Sequence, residues 1–217
     1  MDNTINKLGF WACFTAFIAT MAFNIVQILQ VMGILFFPWD EVFIYTFSLC
    51  IVIPFLLGML ALHHATPINK KIWSHAALIF AGIYAVFVTA NYVVQLATVI
   101  PGRVNGSSNG MEVLQQTPHS MFWDFDAIGY IFMGLATLVA VPVFEKRGFQ
   151  KRVRYSFLAH ALATPLIAFV YFYPKYSDRL LLMAFPWAVT APAFMLFLAL
   201  MFRKQAAKLQ EQPTAIL

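Results

Sequence analysis

Apolar residues in this chain neither alternate nor recur at helical spacing; they form long unbroken runs, the pattern of a polypeptide whose solvent is lipid. A helix needs ~20 apolar residues to cross a bilayer. Six segments meet that length, about 9 to 37, 42 to 63, 73 to 100, 121 to 144, 154 to 174 and 179 to 202. The expected fold class is all-α: a polytopic membrane protein forming one six-transmembrane-helix bundle over residues 1–217. The first run follows Lys7 but is far longer than the roughly 7 to 15 residues of a signal-peptide core, and no A-x-A-like site closes it. It is expected to stay in the mature protein.

Polar groups at membrane depth are costly and turn towards the bundle interior or a hydrated cavity, so the polar residues inside the runs are the informative ones. In the first span Thr20, Asn24 and Gln27 share a helical face, with Gln30 at its edge. Tyr84, Asn91, Gln95 and Thr98 line a face of the third span. In the fourth, Asp126, Tyr130 and Thr137 do the same, beside Gly129 and Gly134, whose size permits close helix approach.

Composition confirms the class and removes others. The chain is 61% apolar, 17% aromatic and 11% charged, with a mean hydropathy of +0.76, whereas soluble domains average about 25% charged residues. Disordered, collagen-like and disulfide-scaffold classes are excluded. The net charge of +5 does not point to nucleic acid, because the Lys and Arg residues sit in short connections rather than on one solvated patch.

Those connections carry the orientation instead. Lys7, Lys70, Lys71, Lys146, Arg147, Lys151, Arg152, Arg154, Arg203, Lys204 and Lys208 fall on one side, against Arg103, Lys175 and Arg179 on the other. The positive-inside rule then expects both termini in the cytoplasm, with 203–217 a cytoplasmic tail and 101–120 an outer loop. That loop begins with the flexible run from Asn105 to Gly110, and its second half, Met111 to Gln116, has the makings of a short interfacial helix. Asn105-Gly106-Ser107 fits the N-glycosylation pattern, a three-residue match that is common by chance.

Topology and stripes combine into the main expectation. Gln27, Gln30, Gln95, Thr98 and Asp126 lie in the outer halves of their spans, with Asn24 and Asn91 near the midplane, and a common cavity open to the outer side is the simplest packing that satisfies all three stripes. Asp124 stands about 200° from Asp126 around the helix and is expected at the interface or as a cap. Asp126 is the expected pocket acid, a candidate general acid with Tyr130 beside it. Asn24, Gln27, Gln30, Asn91 and Gln95 are the candidate ligand-binding residues, with Trp187 in the sixth span as a candidate aromatic wall. The bland alternative is that Asn and Gln only glue helices together, and that Asp126 only caps or ties the bundle.

No metal site and no cofactor are expected. His63, His64 and His75 flank a cytoplasmic connection, His119 lies in the outer loop, and only His160 is well inside a span. Cys13 and Cys50 stand in different runs with no CxxC, and both read as buried inert thiols. Four of the five Trp stand near span ends as an aromatic belt, Trp187 being the exception.

The stretch Asn91-Tyr92-Val93-Val94-Gln95-Leu96, followed by Pro118-His119 and by Asp126-Ala127-Ile128-Gly129-Tyr130, resembles small multi-pass membrane proteins of bacteria that carry no established activity. The resemblance covers spans three and four and implies a bacterial inner membrane. Three functions remain open. One is a protein that binds or transports a lipophilic or amphiphilic small molecule. Another is a membrane-embedded cyclase- or isomerase-type enzyme using Asp126 as acid on a lipid or isoprenoid-like substrate. The last is a structural membrane subunit. The expected partners are the bilayer and the small molecule, with homo-oligomerisation left open and nucleic acid excluded.

Overall fold

A bilayer offers no water to bond backbone amides, so each apolar run must satisfy its own, and a helix does this within one segment. The computed structural model describes residues 3–107 and 110–210. Ser108 and Asn109 of the flexible run, and residues 211–217 of the expected tail, lie outside the described residues. Six long helices result: α1 (Asn3–Val31), α2 (Trp39–Ala65), α3 (Lys71–Val94), α4 (Met121–Ala140), α5 (Gly148–Phe172) and α6 (Phe185–Gln210). Among the described residues there is no strand. All six helical stretches are long and apolar enough to cross a membrane, which makes the chain a multi-pass membrane protein.

Helix ends differ from the hydropathy boundaries for local reasons. The first run continues to Phe37, but α1 stops at Val31 because Gly33 takes a left-handed conformation with φ of 64°. Its N–H bonds the Gln30 carbonyl and that of Ile34 bonds the Leu29 carbonyl, both at 2.9 Å, closing a Schellman turn. Hydropathy averages over such a stop. At the other extremes α5 begins at Gly148, and α6 runs on through Arg203, Lys204 and Lys208, because a helix can continue into water past the apolar boundary. Residues 179–184 of the sixth run are short turns instead of continuous helix.

Span three passes its proline by widening. Pro101 has no N–H and its ring crowds the carbonyl four residues back, and the preceding Gln95–Val99 forms a π turn in which the Ile100 N–H bonds the Gln95 carbonyl. The helix then resumes over Ile100–Val104. Such turns reorient the side chains around them.

Each helix packs against its neighbours in sequence, and α6 closes on α1, so the six form a ring in chain order. Its interior is aromatic, with Phe55, Tyr84, Phe157 and Phe194 buried. The outside carries Ile18, Ile25, Ile53, Val86, Leu162 and Val189, the apolar surface expected against lipid. Small residues set two of the seams. A Cβ at Gly134 would overlap the Thr164 side chain on α5, and one at Gly129 would overlap Val88 on α3.

Candidate functional site

The π turn and the start of α4 place two polar stripes opposite one another, at the end of the bundle that carries the 101–120 connection. Asp126, one and a half turns into α4, is only 3% exposed. Its Oδ1 accepts from the Tyr92 hydroxyl at 2.6 Å and the Asn91 amide at 3.3 Å, both on α3. Its Oδ2 accepts from the Tyr171 hydroxyl on α5. The carboxyl thus joins three consecutive helices through neutral donors. Tyr92 and Tyr130 hydroxyls meet at 2.9 Å, which extends the chain of bonds along α4.

The second half of the 101–120 connection roofs this cluster. Glu112–Leu114 forms a single 3-10 turn where the sequence suggested a short interfacial helix. Gln95, buried at the π turn, holds it from below: its Nε2 donates to the Leu114 carbonyl at 2.7 Å and its Oε1 accepts from the Gln116 N–H at 3.2 Å. The Asn91 amide donates to Gln116 Oε1 at 3.0 Å as well as to Asp126, so one side chain touches both the roof and the acid. At the rim, Arg103 Nη1 donates to both oxygens of Glu41 at 2.7 and 2.8 Å, while its guanidinium lies over the Phe37 ring.

Aromatic rings complete the surroundings. Trp123 packs on Tyr171 with ring centres 4.5 Å apart and donates to the Tyr171 carbonyl. Tyr45 stacks on Tyr92, and Trp187 meets the edge of Tyr130 at 5.0 Å. Two buried polar atoms on or beside the cluster have no hydrogen-bond partner, Asn91 Oδ1 and Trp187 Nε1, and a third, Asn24 Oδ1, lies outside it on α1. Buried polar atoms are nearly always paired, so such a group calls for a physical account.

The structure brings Asn91, Gln95, Asp126, Tyr130 and Trp187 together, and separates the polar stripe of the first span from them. Asn24 donates to the Ala188 carbonyl on α6 at 2.7 Å, next to Trp187. Gln27 donates to Gln30, and Gln30 donates to Asp40 at the start of α2. Thr20 bonds the Ala16 carbonyl of its own helix. The expected common cavity of three stripes is therefore two converging stripes, because α1 packs against α2 and α6 and does not border α4.

Two tyrosines that complete the cluster were not selected from the sequence. Tyr92 is adjacent to Asn91 and off its stripe, and Tyr171 stands in an aromatic-rich run where nothing distinguishes it. The cap of α4 is Ser120, whose Oγ accepts from the Trp123 N–H, while Asp124 is exposed in the first turn. Cys13 is buried but Cys50 is exposed on the outside of the ring, contrary to the reading of both as buried, because its position on α2 faces away from the interior.

Elsewhere, His160 is fully buried with its Nδ1 3.1 Å from the Thr190 hydroxyl. No three His, Cys, Asp or Glu side chains gather into a metal-binding group among the described residues. At the opposite end of the bundle Lys70 donates to Glu145 at 2.8 Å, and that hydrogen bond, with the charge of Lys70, holds the Glu145 carboxyl below the usual glutamate range. Comparisons with family models, with curated proteins and with solved structures give no match to this chain.

Proposed function

We propose that the protein binds or transports a lipophilic or amphiphilic small molecule, held at the Asp126 cluster. The observation that carries this reading is a pair of unpartnered buried polar atoms, Asn91 Oδ1 beside the acid and Trp187 Nε1 on the ring that packs on Tyr130, together with a roof held by amide side chains. Helix glue needs bonds from helix to helix. Here Gln95 directs both of its bonds, and Asn91 one of its two, to a connecting segment lying over the carboxyl, which is the segment that must move for a ligand to enter. The excess of Lys and Arg at the end bearing both termini supports an orientation with that end in the cytoplasm and the roof outside. The resemblance over spans three and four supports a bacterial inner membrane.

Mass spectrometry of small molecules that co-purify with the full chain in mild detergent tests the reading. A compound enriched in the wild type and lost from Asp126→Asn at matched thermal stability is the expected result. Identical profiles for the two proteins would overturn it.

The aromatic lining favours a second reading, an enzyme that protonates a lipid or isoprenoid-like substrate from Asp126 and stabilises the developing cation on Tyr and Trp faces. It separates from the first by outcome: Asp126→Asn would then keep the co-purifying compound and lose its conversion.

A further inference from the structure

The chemical class of ligand follows from what surrounds the acid. The hydrogen bonds to the Asp126 carboxyl come from neutral groups, Tyr92, Tyr171, Asn91 and the Gln116 amide. The two ion pairs among the described residues are Lys70–Glu145 and Arg103–Glu41, and neither touches it. The nearby rings present π faces and edges: Tyr171 lies against Trp123, and Tyr130 against Trp187. A lone acid in low dielectric beside Tyr and Trp lacks any group that would neutralise an anionic ligand, and it repels one. A cation finds there a carboxylate partner and aromatic faces, the pairing that recognises quaternary ammonium groups. Buried charge in a membrane is tolerated when it is paired, and the one partner that this site does not supply for its acid is positive.

We infer that the ligand is a lipophilic organic cation, an amine or quaternary ammonium whose charge is held by the Asp126 carboxylate and whose apolar body rests on Tyr130, Tyr171, Trp123 and Trp187. This rests on the proposed binding function and names its ligand class. Neutral lipids and anionic amphiphiles are disfavoured, the first because they leave the carboxylate unpaired and the second because they add a like charge. Entry requires the Leu114–Gln116 strap to leave Gln95 and Asn91, which detaches one of the donors of Asp126 from its second partner.

Tetraphenylphosphonium and tetraphenylborate test this directly, since they share size and shape and differ in the sign of charge. In equilibrium binding to the full chain in neutral detergent, the phosphonium should bind saturably and the borate should stay at the empty-micelle background. Asp126→Asn should weaken phosphonium binding on the order of thirtyfold or more, the usual scale for removing one member of a desolvated charge pair, and Asp126→Glu should retain most of it. Equal binding of the two ions, non-saturable phosphonium uptake by the wild type, or undiminished affinity in Asp126→Asn would each overturn the inference. Should Asp126→Asn not remain monodisperse, the contrast between the two ions on the wild type decides alone. A neutral compound that co-purifies in an Asp126-dependent way, with no phosphonium binding, would refute the cation and leave the binding function standing. Failure of both experiments would remove both.

Discussion

Replacing Tyr171 by Phe deletes one hydroxyl and leaves the ring that packs on Trp123 in place, which makes it a clean probe of the Asp126 carboxyl. That hydroxyl donates to Asp126 Oδ2, while Oδ1 keeps Tyr92 and Asn91. A hydrogen bond to a charged group contributes about 1.5–3 kcal/mol and a neutral one about 0.5–1.5 kcal/mol; interhelical hydrogen bonds in membranes average about 0.6 kcal/mol. With an ionised acid, Tyr171→Phe should therefore cost about 2 kcal/mol in the wild type and about 0.6 kcal/mol in an Asp126→Asn background. The double-mutant cycle should return a coupling of about 1–2 kcal/mol, read from reversible unfolding in mixed micelles. Tyr92→Phe should cost more than Tyr171→Phe, because its hydroxyl also meets Tyr130. Additivity of Tyr171→Phe and Asp126→Asn within about 0.5 kcal/mol would refute the idea that the three donors serve a charged carboxyl.

Further outcomes follow from other parts of the structure. Gln95→Leu removes both bonds to the strap, and amide hydrogen exchange at Leu114 to Thr117 should quicken while α3 and α4 stay protected. Gly134→Val should separate α4 from α5 at Thr164 and destabilise by about 1–3 kcal/mol in detergent unfolding, the range for overpacking. Glu41→Gln removes a partly exposed pair and should cost under about 1 kcal/mol, a difference that shrinks in 1 M salt, on the order of a 3 Å screening length. By NMR, Glu145 should titrate below the ordinary glutamate range and rise towards it in Lys70→Gln, with the charge of Arg147 still holding it down. Because its carboxyl is depressed in the folded state, its small contribution is present above the ordinary range and fades as pH falls through the folded value.

Length and polarity decided what could be read without coordinates. Six runs of lipid-compatible residues force six helices, since no other open backbone arrangement satisfies its own amides in a bilayer. The stripes on α3 and α4 were legible for a related reason: Asn91, Gln95, Asp126 and Tyr130 are too polar to face lipid, and helical spacing puts them on interior faces. The same argument applied to Asn24, Gln27 and Gln30 gave the right cost and the wrong neighbours. Nothing in a sequence says that α1 lies between α2 and α6, and that adjacency alone sends Asn24 to a carbonyl on α6 and Gln30 to Asp40. Tyr92 and Tyr171 were invisible because tyrosine is also ordinary membrane composition. Only the packing of α3, α4 and α5 brings their hydroxyls onto one carboxyl. Solvation is a property of each residue and is written along the chain, whereas partnership is a property of pairs of helices and exists only once the ring has closed.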